Sequence, residues 1–424
     1  MAILNDASVQ SSDTALVLTG GGARAAYQAG VLKSIAKIVA PRNLTGQRDI
    51  TPFSILVGTS AGAINAAAIA ARADNFSAAV EHLEATWSNF RSASVFRSDP
   101  VGIAASGAKW LGTLALGWAV PARRPRGPQS LLDVAPLRAT LADAIPIHRI
   151  RDHIDSGAIN GVAVTALSYS NGIHHTFYDS RQDIAPWTRS QRAALRCRLD
   201  LEHLLASAAI PFAFPPVELT IAGRREWCGD GSMRQMAPIS PAIHLGANRV
   251  VVIGTGRNWN APPEPIAVAN GSPPSLALIG GQALSSIFLD ALASDLEQIY
   301  RLNELTAKFT SAQRQSAGLR PIEVLSFFPS EPLELIAARH LLSLPISIRL
   351  MLRAIGVGGR GLGARGALLA SYLLFERDYT RALIQLGEID AMNRRLEIEG
   401  FFSPARRAGC SPLPGRGSPA PRLG

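Results

Sequence analysis

Ser60 lies at the centre of the pentapeptide Gly58 to Gly62, which reads GTSAG. An apolar run typical of a strand, Phe53 to Val57, precedes it, and an alanine-rich run typical of a helix, Ala61 to Ala73, follows. A G-x-S-x-G turn from a strand into a helix lifts a serine Oγ clear of its own backbone. The pattern therefore predicts Ser60 as a nucleophile. Gly58 and Gly62 are predicted to flank it in a nucleophile elbow, because a Cβ at either position would obstruct neighbouring backbones.

The second feature that could take part in a reaction is a glycine-rich loop. Ala15 to Leu18 is typical of a short buried strand, and the next residues, Thr19 to Arg24, read TGGGAR before a helical pattern that runs to about Ala40. A glycine-rich turn at the start of a helix aims several N–H groups at one point and favours a bound anion. We therefore expect an anion or an oxyanion at the amides of the three glycines, Gly20, Gly21 and Gly22.

Asp230 is the third feature, within the segment Trp227 to Ser232, which reads WCGDGS. It follows a short strand-like segment and precedes a second apolar strand, Arg249 to Ile253. Alone, the Asp-Gly pair is typical of a turn. In a chain that also carries the serine elbow and the glycine loop, Asp230 becomes a candidate for the base.

In this order the motifs resemble the patatin-like phospholipase family. The matching segments are GGGAR at Gly20 to Arg24, GTSAGA at Gly58 to Ala63 and DGS at Asp230 to Ser232. A fourth, Ser207 to Pro216, resembles the S-x-A-x-P-x-x-F-P-P block that family members carry between serine and aspartate. The resemblance covers about residues 15–256. It implies a three-layer α/β/α patatin-like domain with a mainly parallel central sheet.

The resemblance also implies a chemistry: a Ser60–Asp230 dyad without histidine that hydrolyses lipid acyl esters. The substrate would be a phospholipid or another acyl-glycerol ester, and no metal or organic cofactor is implied. Fixed donors must stabilise the oxyanion, and the loop from Gly20 to Gly22 supplies the candidates. Arg24 is assigned to this oxyanion loop, where it could orient the loop, add positive potential or meet a lipid phosphate.

The chain departs from the family pattern at two positions. It has Ala25 where the family usually has glycine, and Ser232 where the family has glycine or alanine. Both replacements are small, and alanine is well tolerated in a helix. We therefore expect modest reshaping of the site, with an effect on substrate choice rather than on activity.

The same residues suggest three alternative functions. An α/β-hydrolase-like triad could join Ser60 and Asp230 to His244 or His340. The loop also satisfies the G-x-G-x-x-A pattern of dinucleotide-binding proteins, but the second strand then ends in Gly58 to Ser60 and not in the acidic residue that binds a ribose. A catalytically silent lipid-binding protein on the same fold is the third alternative.

Charge points to an anionic partner. Lys plus Arg number 42 against 32 Asp plus Glu, which gives a net charge of +10. Such a charge attracts polyanionic surfaces. The basic residues are scattered and no nucleic-acid-binding motif accompanies them, so we expect peripheral association with an anionic membrane surface and no nucleic acid.

The N-terminus and the cysteines indicate a location. Residues 1–14 are polar and carry Asp6 and Asp13, so no signal peptide is predicted, although routes that need no such signal stay open. Cys197, Cys228 and Cys410 are odd in number and far apart, which argues against a disulfide framework. We therefore predict a cytoplasmic protein.

Strand candidates separated by helical patterns predict the mainly parallel sheet. They are centred on Leu16, Leu56, Ala163, Trp227 and Val252, with Ile322 to Phe327 as a sixth and a hairpin around Asn171-Gly172. We divide the chain into a flexible N-terminus (1–14), a catalytic domain (15–330), a helical C-terminal extension (331–402) and a disordered tail (403–424).

Two apolar segments bear on the membrane. Val101 to Val120 contains Lys109 and four glycines and predicts a core helix, an interfacial helix or a lid rather than a membrane span. Leu341 to Val357 carries Arg349 and Arg353 one helical turn apart. That pattern fits a helix on a lipid surface, but it fits somewhat better a helix packed on the catalytic domain with two solvated arginines.

Overall fold

The computed structural model describes residues 13–39, 49–97, 130–256, 274–358 and 366–403. Two predicted segments lie outside these residues: Val101 to Val120, and all but the first residue of the tail from Ser403. The expected flexibility of residues 1–12 lies outside them as well.

The described residues form one sheet of ten strands, in the order β10-β9-β1-β2-β3-β4-β6-β5, with β8 pairing with β3 and β7 with β8. The strands are β1 Thr14–Leu18, β2 Ile55–Thr59, β3 Gly161–Ser168, β4 His174–Ser180, β5 Thr188–Arg189, β6 Arg192–Arg196, β7 Val217–Ile221, β8 Arg224–Asp230, β9 Arg249–Ile253 and β10 Glu323–Phe327. All neighbours from β10 to β3 are parallel.

Helices cover the sheet on both sides. They are α1 Ala26–Val39, α2 Ala61–Ala70, α3 Phe76–Asn89, α4 Ser92–Val95, α5 Ala135–Ala144, α6 His148–Asp155, α7 Leu201–Ser207, α8 Ser240–His244, α9 Leu276–Ala307, α10 Ser311–Ser316, α11 Leu333–His340, α12 Ile346–Ala354, α13 Ala367–Leu373, α14 Arg377–Asn393 and α15 Arg395–Phe402. Short 3₁₀ turns occupy Gly22–Ala25 and Leu341–Ser343. The predicted fold, a mainly parallel sheet with helices and a helical C-terminal region, is confirmed.

Alternation along β1 shows how the sequence builds the layers. Leu16 and Leu18 lie in the larger apolar cluster, whereas Ala15 and Val17 lie in the second cluster. Successive side chains of a strand point to opposite faces of a sheet. Both faces of β1 are therefore buried under helices, as is usual for parallel strands.

Sheet register brings the chemical motifs to one edge. Leu18 of β1 pairs with Gly58 of β2, so the glycine loop and the serine turn leave the sheet side by side. Thr59 pairs with Thr165 of β3, and the next residue of β3, Ala166, pairs with Asp230 of β8. β8 thus pairs with β3 just beyond the point where β2 ends. This pairing brings Asp230 next to Ser60, the residue that follows β2.

The C-terminal helices pack on α1. A Cβ at Gly30 of α1 would lie 1.9 Å from the carbonyl oxygen of Ile384 in α14, so glycine lets the two helices touch. The Tyr27 hydroxyl donates to Asp390 Oδ2 at 3.0 Å. The division at residue 330 stays a prediction, but residues on both sides of it share one apolar core.

Several local expectations change in the structure. The hairpin around Asn171-Gly172 is confirmed by β3 and β4. Within the predicted segment Leu341 to Val357, α12 begins only at Ile346, after Pro345, whose ring removes a backbone donor. Within the predicted helical C-terminal extension, α13 and α14 are separate helices, and α14 ends before Arg394. β5 and β6 were missed because β5 has only two residues, both exposed, and β6, Arg-Ala-Ala-Leu-Arg, lacks apolar alternation.

α9 is long and apolar enough, by length and composition, to cross a membrane. One face of this helix packs on the core through Leu284, Phe288, Leu292 and Leu296, which recur every four residues. This spacing is that of an amphipathic helix with one side against a protein core. The packing accounts for the apolar sequence of that side, while Leu276 and Ile279 near the N-terminal end remain exposed.

Candidate active site

Ser60 sits in a strained turn between β2 and α2. Its φ of 55° and ψ of −129° lie in a region that residues other than glycine rarely adopt. Such strain persists only where the surroundings hold it, and it clusters at functional sites. A Cβ at Gly58 would lie 2.4 Å from Ala63 Cα, and one at Gly62 would lie 2.3 Å from the Leu18 carbonyl oxygen. The close approach expected of both glycines is therefore present.

The Ser60 hydroxyl donates a hydrogen bond to Asp230 Oδ2 at 2.6 Å. The two residues are 1% and 0% exposed, although 170 positions separate them in the sequence. Short O–H···O⁻ hydrogen bonds of this length are typical when the acceptor is charged. The structure thus brings the predicted nucleophile and the predicted base into direct contact.

Ser207 ties the two loops together. Its hydroxyl accepts the Ser60 amide at 2.9 Å, and its carbonyl accepts the Gly231 amide at 3.1 Å. The neighbouring carbonyl of Ala209 accepts the Asp230 amide at 3.1 Å. The block that begins at Ser207 therefore positions both chemical residues. Sequence reasoning placed this block in the family pattern without giving it a role.

Burial sets the charge state of Asp230. It raises the pKa of this carboxyl from 3.8 to about 6, although hydrogen bonds from Ser60 and Ser232 partly offset the effect. The Ser232 amide donates to the second oxygen, Oδ1, at 2.8 Å. A carboxylate with this pKa is still largely ionised at neutral pH and is a much better proton acceptor than an ordinary aspartate.

The glycine loop lies against Ser60. A Cβ at Gly20 would be 2.9 Å from Ser60 Cβ and 2.3 Å from Ser232 Oγ, so nothing larger than glycine fits there. Gly22 has a φ of 56° and lines the same cavity as Ser60. Within the described part of the chain, the amides of Gly20, Gly21 and Gly22 donate to no protein acceptor. The loop is thus placed to present donors beside the serine.

Arg24 turns away from the serine and into the C-terminal helices. Its Nε donates to Ser371 Oγ at 2.7 Å, its guanidinium stacks on the Tyr372 ring at 4.2 Å, and its Nη2 lies 3.5 Å from Glu334. Of the roles that the sequence left open, these contacts support orientation of the loop. They give no support to a direct contact with an oxyanion, because the guanidinium is held by partners on α11 and α13.

Ser60 opens onto an apolar cavity of about 380 Å³, a volume that includes its open mouth. Aromatic rings form part of its wall: Trp87 and Phe90 lie 5.0 Å apart, and Phe90 and Phe375 lie 6.3 Å apart. Ile64, Ile210 and Phe214 line it as well. The cavity offers hydrocarbon contacts next to a polar reacting group, as suits the acyl part of a lipid.

The histidines of the alternative triad have other partners. His244 stacks on Trp187 at 4.5 Å, its Nδ1 lies 2.9 Å from the Ser240 carbonyl, and the ring of His340 lies 6.4 Å from that of Tyr379. The Ser60 hydroxyl donates to the carboxylate and not to an imidazole. The hydrogen-bond pattern thus favours the two-residue arrangement.

His174 is a residue near the site that sequence reasoning missed. Its Nε2 lies 2.7 Å from the Gly231 carbonyl oxygen, beside Asp230. Burial lowers its pKa to about 4, so the imidazole is neutral and Nε2–H is the donor. No motif of the sequence marks His174, because its place at the site depends on a contact 57 positions away in the chain. Among the described residues, no group of three or more His, Cys, Asp or Glu could hold a metal ion.

This arrangement defines an α/β protein with a buried serine–carboxylate pair at a strand-to-helix turn. The model of the patatin-like phospholipase family matches residues 16–243, more than half of the chain. The chain belongs to this family. No curated protein matches it.

Three solved structures match the chain at low sequence identity and low TM-score. The chain is 11% identical to VipD from Legionella pneumophila, with 91% of this chain and 67% of that chain covered and a TM-score of 0.35. It is 12% identical to the type III effector ExoU, with 92% of this chain and 53% of that chain covered and a TM-score of 0.33. It is 11% identical to human GIVD cytosolic phospholipase A2, with 94% of this chain and 60% of that chain covered and a TM-score of 0.41. The chain thus spans about half to two thirds of their length. Likeness at this level says nothing about substrates.

Proposed function

We propose that this protein is a serine lipid acyl hydrolase that acts through a Ser60–Asp230 dyad. The observation that carries the proposal is the 2.6 Å hydrogen bond from Ser60 Oγ to Asp230 Oδ2, in a buried site that opens onto an apolar cavity. Membership of the patatin-like phospholipase family supports lipid ester hydrolysis in general. The substrate class we propose is phospholipid or another acyl-glycerol ester, with the acyl chain in the cavity.

In the proposed first step Asp230 takes the hydroxyl proton while Ser60 Oγ attacks the ester carbonyl carbon. The tetrahedral intermediate collapses, the C–O bond to the alcohol breaks, and Asp230 returns the proton to the leaving oxygen. In the second step Asp230 takes a proton from water, which attacks the acyl-enzyme. The bond between the acyl carbon and Ser60 Oγ then breaks, and Asp230 returns its proton to Ser60 Oγ. This step releases the fatty acid.

Negative charge on the carbonyl oxygen requires fixed donors. Gly20 packs against Ser60 and Gly22 lines the same cavity, and we assign the oxyanion to the amides of Gly20, Gly21 and Gly22. Removing one such donor typically lowers the rate by about 100-fold to 1000-fold. Arg24, by its contacts, is a positioning residue that holds the loop against α11 and α13.

Labelling by a fluorophosphonate probe tests the nucleophile. Wild-type protein should be labelled at Ser60 and should release fatty acid from phospholipid vesicles, whereas Ser60→Ala should lose both and keep its melting temperature. Asp230→Asn should lose turnover, and His244→Gln and His340→Gln should retain it. Labelling that persists in Ser60→Ala would refute the assignment. An inactive His244→Gln or His340→Gln enzyme would favour the triad.

We also propose that the protein docks peripherally on anionic membranes. Ile346 and Leu350 of α12 are 63% and 57% exposed, and Leu276 at the start of α9 is 71% exposed. The Ala277 amide donates to the Ile355 carbonyl at 2.9 Å, which joins the two helix ends. Arg349 and Arg353 lie on the same short helix. Exposed aliphatic side chains beside basic ones suit the boundary of an anionic bilayer.

Vesicle flotation tests the docking surface. Replacing Ile346 and Leu350 by serine should weaken binding to vesicles that contain phosphatidylserine. The matched control replaces the exposed Ile389 and Leu396 of α14 and α15 by serine and should leave binding unchanged. Equal loss in both variants would show that this surface is not the docking site. Binding without fatty acid release from any lipid would favour the silent lipid-binding alternative.

We place the protein in the cytoplasm. Cys197 and Cys228 are free thiols, which suits a reducing compartment. Fractionation of cells is the test, and recovery of the protein outside the cytoplasm and its membranes would contradict this location.

A further inference from the structure

A second cleft lies behind the loop that carries Asp230. It encloses about 350 Å³, its mouth included, between β4, the β5–β6 hairpin and the segment 235–241. The described residues that line it include two arginines, Arg189 and Arg192, and no carboxylate. Trp187 forms an apolar wall, and Thr176 and Ser240 contribute hydroxyl groups. The cleft is therefore basic and separate from the acyl cavity at Ser60.

The hairpin places like charges face to face. Arg189 of β5 pairs directly with Arg192 of β6 in the antiparallel register. Like charges in directly opposed positions destabilise a strand pair. In addition, Arg192 Nε is buried and, among the described residues, has no hydrogen-bond partner. A buried donor without an acceptor is costly. An anion between the two guanidinium groups would relieve both conditions.

Other charges around the cleft leave the positive potential in place. Burial and, to a smaller extent, Arg189, Arg192 and Arg320 lower the pKa of His244, so three guanidinium groups act on one ring. Asp295 is a carboxylate within electrostatic range of Arg192: its Oδ2 accepts the Ile239 amide at 2.8 Å, and burial raises its pKa to about 6 although Arg192 partly offsets this.

The floor of the cleft touches the backbone around the proposed dyad. His174 Nε2 lies 2.7 Å from the carbonyl of Gly231, next to Asp230. Gln235 Nε2 donates to Thr59 Oγ1, next to Ser60, at 2.9 Å. Both side chains line the cleft. A ligand in the cleft would therefore press on the two side chains that hold these backbone segments.

We propose that this cleft binds a phosphate group through Arg189 and Arg192, and that its occupancy raises turnover by fixing the loop from Gly231 to Gln235. Guanidinium groups match the oxygen geometry of phosphate with paired hydrogen bonds. A phosphate headgroup and a free phosphate present the same oxygens to the two guanidinium groups. The effect on turnover rests on the proposed hydrolase function, whereas phosphate binding does not.

Binding is measured in the Ser60→Ala variant, which consumes no lipid. One arm titrates inorganic phosphate by calorimetry, and the other compares vesicles of phosphatidylcholine with and without phosphatidic acid. Replacing Arg189 and Arg192 together by glutamine should weaken binding at least about tenfold, because two charge-assisted contacts are lost. The matched control replaces the exposed Arg224 and Arg225 of β8 by glutamine and removes the same charge. Binding of phosphate in solution identifies a free ligand, and binding of the doped vesicles alone identifies a lipid headgroup.

Turnover is measured in otherwise wild-type protein with a short, soluble ester, at constant ionic strength with chloride as the reference anion. The ligand that binds should raise kcat in the wild type and in the Arg224/Arg225 control, but not in the Arg189/Arg192 variant. The proposal is overturned if neither ligand binds, if the two double variants bind equally, or if binding leaves kcat unchanged. An enzyme without esterase activity that still binds phosphate at these arginines would refute the hydrolase assignment and leave the phosphate site standing.

Discussion

Replacing Asp230 by asparagine is expected to abolish turnover and, at the same time, to stabilise the fold. The carboxyl is fully buried, and its pKa rises from 3.8 to about 6. Each unit by which a pKa differs between the folded and unfolded chain corresponds to about 1.4 kcal/mol. The ionised carboxylate therefore lowers the free energy of unfolding by about 3 kcal/mol above pH 6. Asparagine has nearly the same shape and carries no charge to desolvate.

The sign of the pH dependence follows from proton binding. Between pH 3.8 and about 6 the folded state holds more protons at Asp230 than the unfolded state does, so the wild type loses stability as the pH rises through this window. Asp230→Asn should escape this loss. Its advantage over the wild type should be about 3 kcal/mol at pH 8 and about half of that at pH 5.

Urea unfolding at both pH values, followed by circular dichroism, is the measurement. Asp143 is an exposed aspartate of α5, and Asp143→Asn makes the same chemical change at the surface. Its effect should stay within about 0.5 kcal/mol. Two results would refute the argument that burial of this charge destabilises the fold. One is an Asp230→Asn protein that is less stable than the wild type at pH 8, and the other is a stability difference from the wild type that is the same at both pH values.

Three further outcomes follow from the site. The kcat/KM of the wild type should fall about tenfold for each pH unit below the Asp230 pKa of about 6, as seen in a pH–rate profile; a flat profile down to pH 4 would exclude Asp230 as the base. Gly20→Ala should lower kcat by about 100-fold or more with the protein still folded, because the new methyl would lie 2.9 Å from Ser60 Cβ; activity near the wild-type level would contradict the loop position. Arg24→Met should lower the free energy of unfolding by about 2 kcal/mol or more, because Ser371 and Glu334 lose their partner; an unchanged urea midpoint would show that these contacts add nothing.

Much of the site could be read from the sequence because its parts are local. The turn at Ser60 is dictated by an apolar strand, two glycines and an alanine-rich helix within about twenty residues. The glycine loop before α1 follows the same logic. The hairpin of β5 and β6 was missed for the corresponding reason, since a two-residue strand and the sequence Arg-Ala-Ala-Leu-Arg carry no apolar period.

Other properties depended on contacts between distant residues. The sequence left several roles open for Arg24, and the structure pairs it with Ser371, 347 positions away. The raised pKa of Asp230 requires complete burial, which no local pattern reports. The shared core of α1 and α14, and the contact of His174 with Gly231, are likewise products of packing.

The amino-acid sequence by itself determined which residues could do chemistry and the turns that present them, because turn conformation is decided by the sterics of a few neighbouring residues. Only the tertiary structure decided that Ser60 and Asp230 meet, that the carboxylate is desolvated, and that Arg24 faces the C-terminal helices. Those outcomes depend on the register of β2, β3 and β8 and on helix packing, which sum many weak contacts between residues far apart in the chain.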